Sequence, residues 1–188
     1  AIGSASQVKS GFKTASSGIA VLLPAGVLCF AAVGANLIKD GLTTWGPSIL
    51  NEEGSLSDSI SILLTLFLPV VAIMGNASAP GIHKRIPNYI VNALVLFAVM
   101  IPLLSLALGS ISIGAVALML LAMVAVSFLA SSLNSMITSV FPMFMRQYVN
   151  SGLCAGVLNG FAYLGSTISS YGLGLIADHF GWTAVFWC

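Results

Sequence analysis

Long apolar runs follow one another along the chain, separated by short polar stretches. Five of them cover residues 19–49, 59–77, 89–108, 111–141 and 152–177, and a sixth begins at Trp182 and holds seven residues. Crossing a hydrocarbon core of about 30 Å takes roughly 20 helical residues. Helices are expected because lipid offers the backbone no other hydrogen-bond partner. The pattern predicts an all-α polytopic membrane helix bundle of six transmembrane helices, the last one truncated.

The boundaries of these runs predict the organisation of the chain. Residues 1–18 mix Ser, Gly and Thr with Lys9 and Lys13 and are predicted to form a cytoplasmic loop or linker. Residues 19–188 are predicted to form one transmembrane half-bundle. Prolines interrupt helices and are expected near the ends of spans, at Pro47, Pro80, Pro87 and Pro142.

The loops between the predicted spans alternate between the two sides of the membrane, and basic and acidic residues fall in different sets of loops. One set of loops holds five of the six cations, Lys9, Lys13, Lys84, Arg85 and Arg146. The other set holds four of the five acids, Glu52, Glu53, Asp58 and Asp178. Because cytoplasmic loops are rich in Lys and Arg, the first set and the N-terminus are predicted to be cytoplasmic.

Composition narrows the class of protein. Hydrophobic residues make up 58% of the 188 residues and charged residues only 6%, whereas a soluble domain carries about 25% charged residues. The lipid bilayer is therefore an expected partner. A net charge of +1 without a basic run argues against nucleic acid. The sequence also lacks common catalytic motifs and metal-ligand spacings, so no enzyme activity, cofactor or metal is expected.

Lys39 and Asp40 are candidate site residues because a charge inside a span costs about 2.5–3.5 kcal/mol even on insertion scales. Neighbours in sequence point about 100° apart on a helix, so this pair is expected to neutralise itself poorly. Asn36, Lys39 and Thr43 share one face by their spacing and could present an ammonium to an anionic substrate. Alternatively, Lys39 extends outward to the membrane surface and Asp40 lies at the interface.

Polar residues on two later spans are further candidates for lining a substrate path. Asn134 lies in the fourth run among serines at helical spacing. Asn159 and Tyr163 lie in the fifth run, beside three glycines spaced by four residues. Helix packing remains an alternative, because hydroxyls and amides also join helices and small residues allow close helix approach.

Two segments in the last part of the chain resemble the major facilitator superfamily. Residues 172–182, GLGLIADHFGW, with Val185 and Phe186 after them, are similar to that superfamily's junction between helices eleven and twelve. Residues 155–165, AGVLNGFAYLG, are similar to its helix eleven. In this register the six spans correspond to helices seven to twelve. The resemblance therefore implies half of a major facilitator fold, with residues 19–188 as its C-terminal half.

The first span is similar to one branch of that superfamily, the organophosphate:phosphate antiporters. Residues 39–50 read KDGLTTWGPSIL, and Lys39 stands at the position of that branch's phosphate-binding arginine. The chain departs from the pattern of that branch at three positions: Lys39 replaces Arg, Asp40 replaces Tyr and Thr44 replaces Asp. A lysine is a point charge rather than a bidentate fork, so phosphate recognition would differ.

The resemblance implies a secondary active transporter that moves a small solute, an organic anion such as a sugar phosphate, by alternating access. Lys39, Asn36, Asn134, Asn159 and Tyr163 would bind the substrate, and a missing N-terminal six-helix half would complete the site. The expected location is the bacterial plasma (inner) membrane. An alternative is a membrane sensor of the same fold that binds a phosphorylated metabolite without transporting it. A free-standing six-helix channel is a further alternative.

Overall fold

The computed structural model describes the backbone of residues 5–147 and 150–187, with side chains described from residue 26 onward in those ranges. Every element in these ranges is helical. In chain order the elements are α1 (Ala5–Glu52), α2 (Asp58–Thr65), α3 (Phe67–Arg85), α4 (Tyr89–Ser112), α5 (Val116–Ser135), the π-helix π1 (Met136–Val140), α6 (Phe141–Phe144), a 3-10 turn (Met145–Gln147), α7 (Ser151–Thr167), the π-helix π2 (Ile168–Leu173), α8 (Gly174–Phe180) and α9 (Trp182–Trp187).

Four helical segments are long and apolar enough to cross a membrane, and they match the first four predicted runs. They are Gly26–Glu52, Asp58–Arg85, Tyr89–Ser112 and Val116–Gln147. The fifth run folds as the continuous helical segment from α7 through α8, and the sixth run contributes α9. Neither of these two segments is among the four that are long and apolar enough to cross a membrane. The all-helical prediction is confirmed for the described residues, and the count of six spans stays a prediction.

Several helices extend further than their sequence boundaries predicted. Helical backbone begins at Ala5, inside the stretch 1–18 predicted as a loop or linker. The expected ends at Pro47, Pro80 and Pro142 are wrong. α1 continues to Glu52, α3 continues to Arg85, and the fourth helical segment continues to Gln147. Apolar helices tolerate proline when neighbouring groups satisfy the freed carbonyl.

Helix α1 packs against α5, α7 and π2, and α5 also packs against α3 and α4. Two glycines permit the closest approaches. Gly165 on α7 lies against the carbonyl oxygen of Val33, and Gly75 on α3 lies against that of Phe128. A Cβ at either glycine would collide with backbone, so these helices meet at van der Waals distance.

Local signals define where the later helices begin and turn. The Asn88 side chain accepts hydrogen bonds from the backbone at the start of α4, and Asn150 does the same for α7, as N-cap residues do. Gly114 and Gly181, which connect α4 to α5 and α8 to α9, take positive φ angles of 64° and 77°. Glycine adopts such angles without steric cost.

Large apolar side chains cover much of the outer surface. Phe30 is 80% exposed, Ile73 69% and Leu153 70%. A water-soluble protein rarely exposes so many large apolar groups. The surface and the four long apolar helices are compatible with an integral membrane protein.

Candidate functional site

A chain of hydrogen bonds joins α1 to α5 through the side-chain amides of a buried and a half-buried asparagine. The Asn36 side chain is 4% exposed, and its Nδ2 donates to Asn134 Oδ1 at 2.6 Å and to the Ala32 carbonyl at 3.0 Å. The Lys39 ammonium donates to Asn36 Oδ1 at 3.1 Å. The structure therefore brings together three of the five predicted site residues, Lys39, Asn36 and Asn134.

Lys39 also forms an ion pair with its neighbour in sequence. Its Nζ lies 3.1 Å from Asp40 Oδ1, and the two side chains are 24% and 27% exposed. The expectation that this pair would neutralise itself poorly is wrong. The two side chains leave the helix in different directions, but the flexible four-carbon stem of lysine carries the ammonium to the adjacent carboxylate.

Asp40 connects the same network to α7. Its Oδ2 accepts a hydrogen bond from the hydroxyl of Ser166. The close approach of Gly165 to Val33 brings α7 against α1 here, so the next residue, Ser166, reaches the carboxylate. We define the polar network as Asn134, Asn36, Lys39, Asp40 and Ser166. Within it one ammonium balances one carboxylate.

The two outer members of the polar network stand at equivalent places on their helices. Asn134 lies two residues before the start of π1, and Ser166 lies two residues before the start of π2. Thr138 in π1 donates its hydroxyl proton to the Asn134 carbonyl at 2.9 Å. π-Helical turns are rare and occur often at functional sites. Both ends of the network are thus attached to helices whose regular winding changes beside it.

Asn159 and Tyr163 lie on the open side of α7. Both residues are exposed, Tyr163 to 71%, whereas Gly165 and Ser166 on the same helix contact α1. Tyr163 precedes Ser166 by three residues, so it borders the same side of the helix. The structure thus does not join these two predicted residues to the polar network: neither side chain forms a hydrogen bond with it among the described side chains.

Exposed hydroxyls lie on the helices that carry the polar network. Thr43 follows Lys39 by one turn and bonds the Lys39 carbonyl at 2.9 Å. Ser139 on π1 and Thr167 on α7 are also exposed. The Lys39 side chain is itself 24% exposed, so its ammonium is partly accessible. A partly exposed ammonium can attract an anion.

An apolar cavity lies beside α1, and no residue of the polar network lines it. It measures about 460 Å³ and lies between α1, π2 and α9, and no predicted site residue lines it. The Trp45 ring lies on its wall, donates Nε1–H to the Ser169 carbonyl at 3.0 Å and packs against Trp182. In the described ranges, no group of three His, Cys, Asp or Glu side chains could hold a metal ion.

Asp40 was singled out as a charge inside the first span but was not assigned to the substrate site, and Ser166 was not among the predicted site residues. The sequence signal was Gly165, since a glycine at a tight helix crossing brings its neighbour within reach of the facing helix. That signal has meaning only once α1 and α7 are known to be partners.

Comparison with known proteins adds no relative: no family model, curated protein or solved structure matches the chain.

Proposed function

We propose that the chain is the C-terminal six-helix half of a major facilitator-type secondary transporter that moves a small organic anion, such as a sugar phosphate, by alternating access. One observation carries the proposal. The Lys39 ammonium is held by Asn36 and Asp40 inside an apolar helix and is 24% exposed. Ionisable groups inside membrane helices are costly and are typical of substrate and ion pathways.

The depth of Lys39 supports this interpretation. Lys39 lies 13 residues before Glu52, the last residue of α1, which corresponds to about 20 Å along the helix. A residue that only extended to the nearer membrane surface would lie closer to the helix end. The ammonium instead contacts Asn36, one turn further from that end.

In this proposal, α7 through α8 is the fifth span and α9 begins the sixth. A second, N-terminal half faces the open side of α7, where Asn159 and Tyr163 would then complete the substrate site. The N-terminus lies in the cytoplasm, and the membrane is the bacterial inner membrane.

The proposal is tested by anion binding to the purified gene product that carries this chain, in detergent. Labelled glycerol 3-phosphate is titrated against wild type and against Lys39→Gln, which removes the charge but keeps much of the stem. The matched control is Lys84→Gln, the same change at an exposed lysine at the end of α3. We expect saturable binding that falls at least tenfold in Lys39→Gln, about 1.4 kcal/mol, and is unchanged in Lys84→Gln.

Transport is tested by uptake of the same anion into proteoliposomes that hold the gene product carrying this chain. Saturable uptake that is lost in Lys39→Gln supports a transporter. Binding without uptake points to the sensor alternative. Absent binding, or equal loss in both lysine variants, contradicts a specific anion site at Lys39.

A further inference from the structure

We propose that the apolar cavity between α1, π2 and α9 binds an acyl chain of a membrane lipid, which enters it through a groove between α4 and α9. The inference goes beyond the proposed anion transport and does not depend on it. It requires only that the helix bundle lies in a lipid bilayer.

The wall of the cavity disfavours a polar ligand. Its described residues are all aromatic, aliphatic or glycine, and they enclose about 460 Å³. The indole N–H of Trp45 is already bonded to the Ser169 carbonyl at 3.0 Å. Apart from the indole N–H of Trp182, these residues offer no side-chain group that could pair with a polar ligand. A charged or strongly hydrated solute would therefore lose its hydration here without equivalent partners.

Water fits the cavity poorly for the same reason, because a buried water molecule needs two to four polar partners. Apolar cavities of about 150 Å³ stay dry and bind benzene. The cavity beside α1 is larger, so it can hold a longer hydrocarbon. A hydrocarbon also supplies the van der Waals contacts that the side chains around an unfilled volume would lack.

A groove on the surface adjoins the cavity and indicates where the hydrocarbon comes from. The groove lies between α4 and α9 and shares Leu104 and Phe186 with the cavity wall. Ile101 and Trp187 also line it, and they are 64% and 78% exposed. In a bilayer such exposed apolar side chains face the lipid tails. An acyl chain is therefore the hydrocarbon that has direct access to the cavity.

The groove carries hydroxyl groups where its two helices end. Ser112 is the last residue of α4 and Thr183 the second residue of α9, and both are exposed. The ends of membrane-spanning helices lie near the lipid headgroups. Ser112 already donates its hydroxyl proton to the Gly109 carbonyl at 2.8 Å, whereas the Thr183 hydroxyl can donate to a lipid ester carbonyl. The lipid is thus oriented with its ester at Thr183 and its acyl chain running past Phe186 into the cavity.

The test is photocrosslinking in proteoliposomes that hold the gene product carrying this chain. One probe is a phosphatidylcholine with a diazirine at the end of an acyl chain, and the other carries the diazirine next to the ester. Peptide mass spectrometry locates the labelled residues. We expect the terminal diazirine to label residues 168–176, which include the cavity wall on π2 and α8. The diazirine next to the ester should label residues 105–112 and Thr183 instead.

Saturation distinguishes a bound lipid from the bulk bilayer. Ile73 on α3 is 69% exposed and does not line the cavity or the groove, so it reports contact with bulk lipid. As the fraction of probe in the bilayer is raised, labelling of residues 168–176 should level off. Labelling at Ile73 should rise in proportion to the probe.

A variant that fills the cavity tests its role directly. Gly172 lines the cavity beside Ile168, and a Cβ there would lie 3.7 Å from Ile168 Cγ2, an ordinary contact. Gly172→Leu should therefore fold, and saturable labelling of the cavity should be lost. The matched control is Gly81→Leu, at an exposed glycine of α3 where a Cβ meets nothing within 4 Å. It should keep the wild-type labelling.

Each outcome supports or overturns the lipid site. Saturable labelling that is lost in Gly172→Leu and kept in Gly81→Leu supports it. Labelling of residues 168–176 that rises in proportion to the probe overturns it, because bulk lipid behaves in this way. No labelling of these residues also overturns it and shows that the cavity is closed to lipid. If Gly172→Leu does not fold, saturation in wild type decides the question. Anion uptake is measured separately, so failure of the lipid site leaves the proposed function standing.

Discussion

The side-chain amide of Asn36 donates a 2.6 Å hydrogen bond to the side-chain oxygen of Asn134, and this bond joins α1 to α5 where α5 passes into π1. Asn36 is also the residue that holds Lys39 on its other side. The bond therefore fixes both the contact between two helices and the position of the ammonium.

Breaking this bond should destabilise the bundle modestly. Interhelical hydrogen bonds in membrane proteins contribute about 0.6 kcal/mol on average and up to about 1.7 kcal/mol. A double-mutant cycle of Asn36→Ala and Asn134→Ala, measured by equilibrium unfolding in mixed micelles, should give a coupling energy in that range. Purely additive effects would show that the two amides do not interact.

Gly165→Ala should weaken the contact between α1 and α7. The new Cβ would collide with the Val33 carbonyl, and overpacking of this kind costs about 1–3 kcal/mol. Gly160→Ala on the same helix is the matched control, since a Cβ there meets nothing within 4 Å. It should be neutral or stabilising by up to about 1 kcal/mol, because alanine favours helix over glycine. The stability of both variants is measured from their unfolding midpoints in detergent. Equal changes at Gly165 and Gly160 would refute this account.

Trp45→Phe should leave the Ser169 carbonyl without its indole partner. The lost N–H bond, 3.0 Å long, is worth about 0.5–1.5 kcal/mol. We expect the thermal midpoint to fall by about 2–4 °C per kcal/mol lost. Trp187→Phe, at a side chain that is 78% exposed, should leave the midpoint unchanged. An equal fall in Trp187→Phe would show that the loss of any tryptophan lowers the midpoint, and that the hydrogen bond to Ser169 is not the cause.

The proposed topology predicts which loops a thiol reagent reaches from each side. In a variant with the native cysteines replaced, Ser55→Cys between α1 and α2 should react from the outside of intact cells. Lys84→Cys at the end of α3 should react only in inside-out vesicles. A membrane-impermeant maleimide provides the measurement. The reverse labelling pattern would show that the topology is inverted. Labelling of both cysteines from the same side would show that no span crosses the membrane between them.

The hydrophobic pattern predicted most of the helices because run length alone determines whether a segment can span a bilayer. The runs 59–77 and 89–108 fall inside Asp58–Arg85 and Tyr89–Ser112. The pattern failed at Pro47 and Pro80, where helices continue. A proline ends a helix in water more readily than between packed apolar helices.

The candidate site was predicted only in part, because sequence spacing reports local geometry and not contacts between distant helices. Helical spacing correctly grouped Asn36 with Lys39 on one helix, since it depends on local geometry alone. The bond from Asp40 to Ser166 depends on the crossing of α1 and α7, and residues 126 apart in sequence carry no local sign of it. The ion pair of Lys39 with Asp40 depends on side-chain flexibility, which helical spacing ignores.

The two π-helices have a consequence for how sequences related to this one should be compared. A π-turn holds one residue more than an α-turn, and one residue turns a helix by about 100°. Residues after Met136–Val140 or Ile168–Leu173 therefore lie on a different helix face from the one that regular α-helical spacing would predict. A relative with a straight helix at either place would align with a one-residue gap there, and a gap-free alignment would assign its later side chains to the wrong faces.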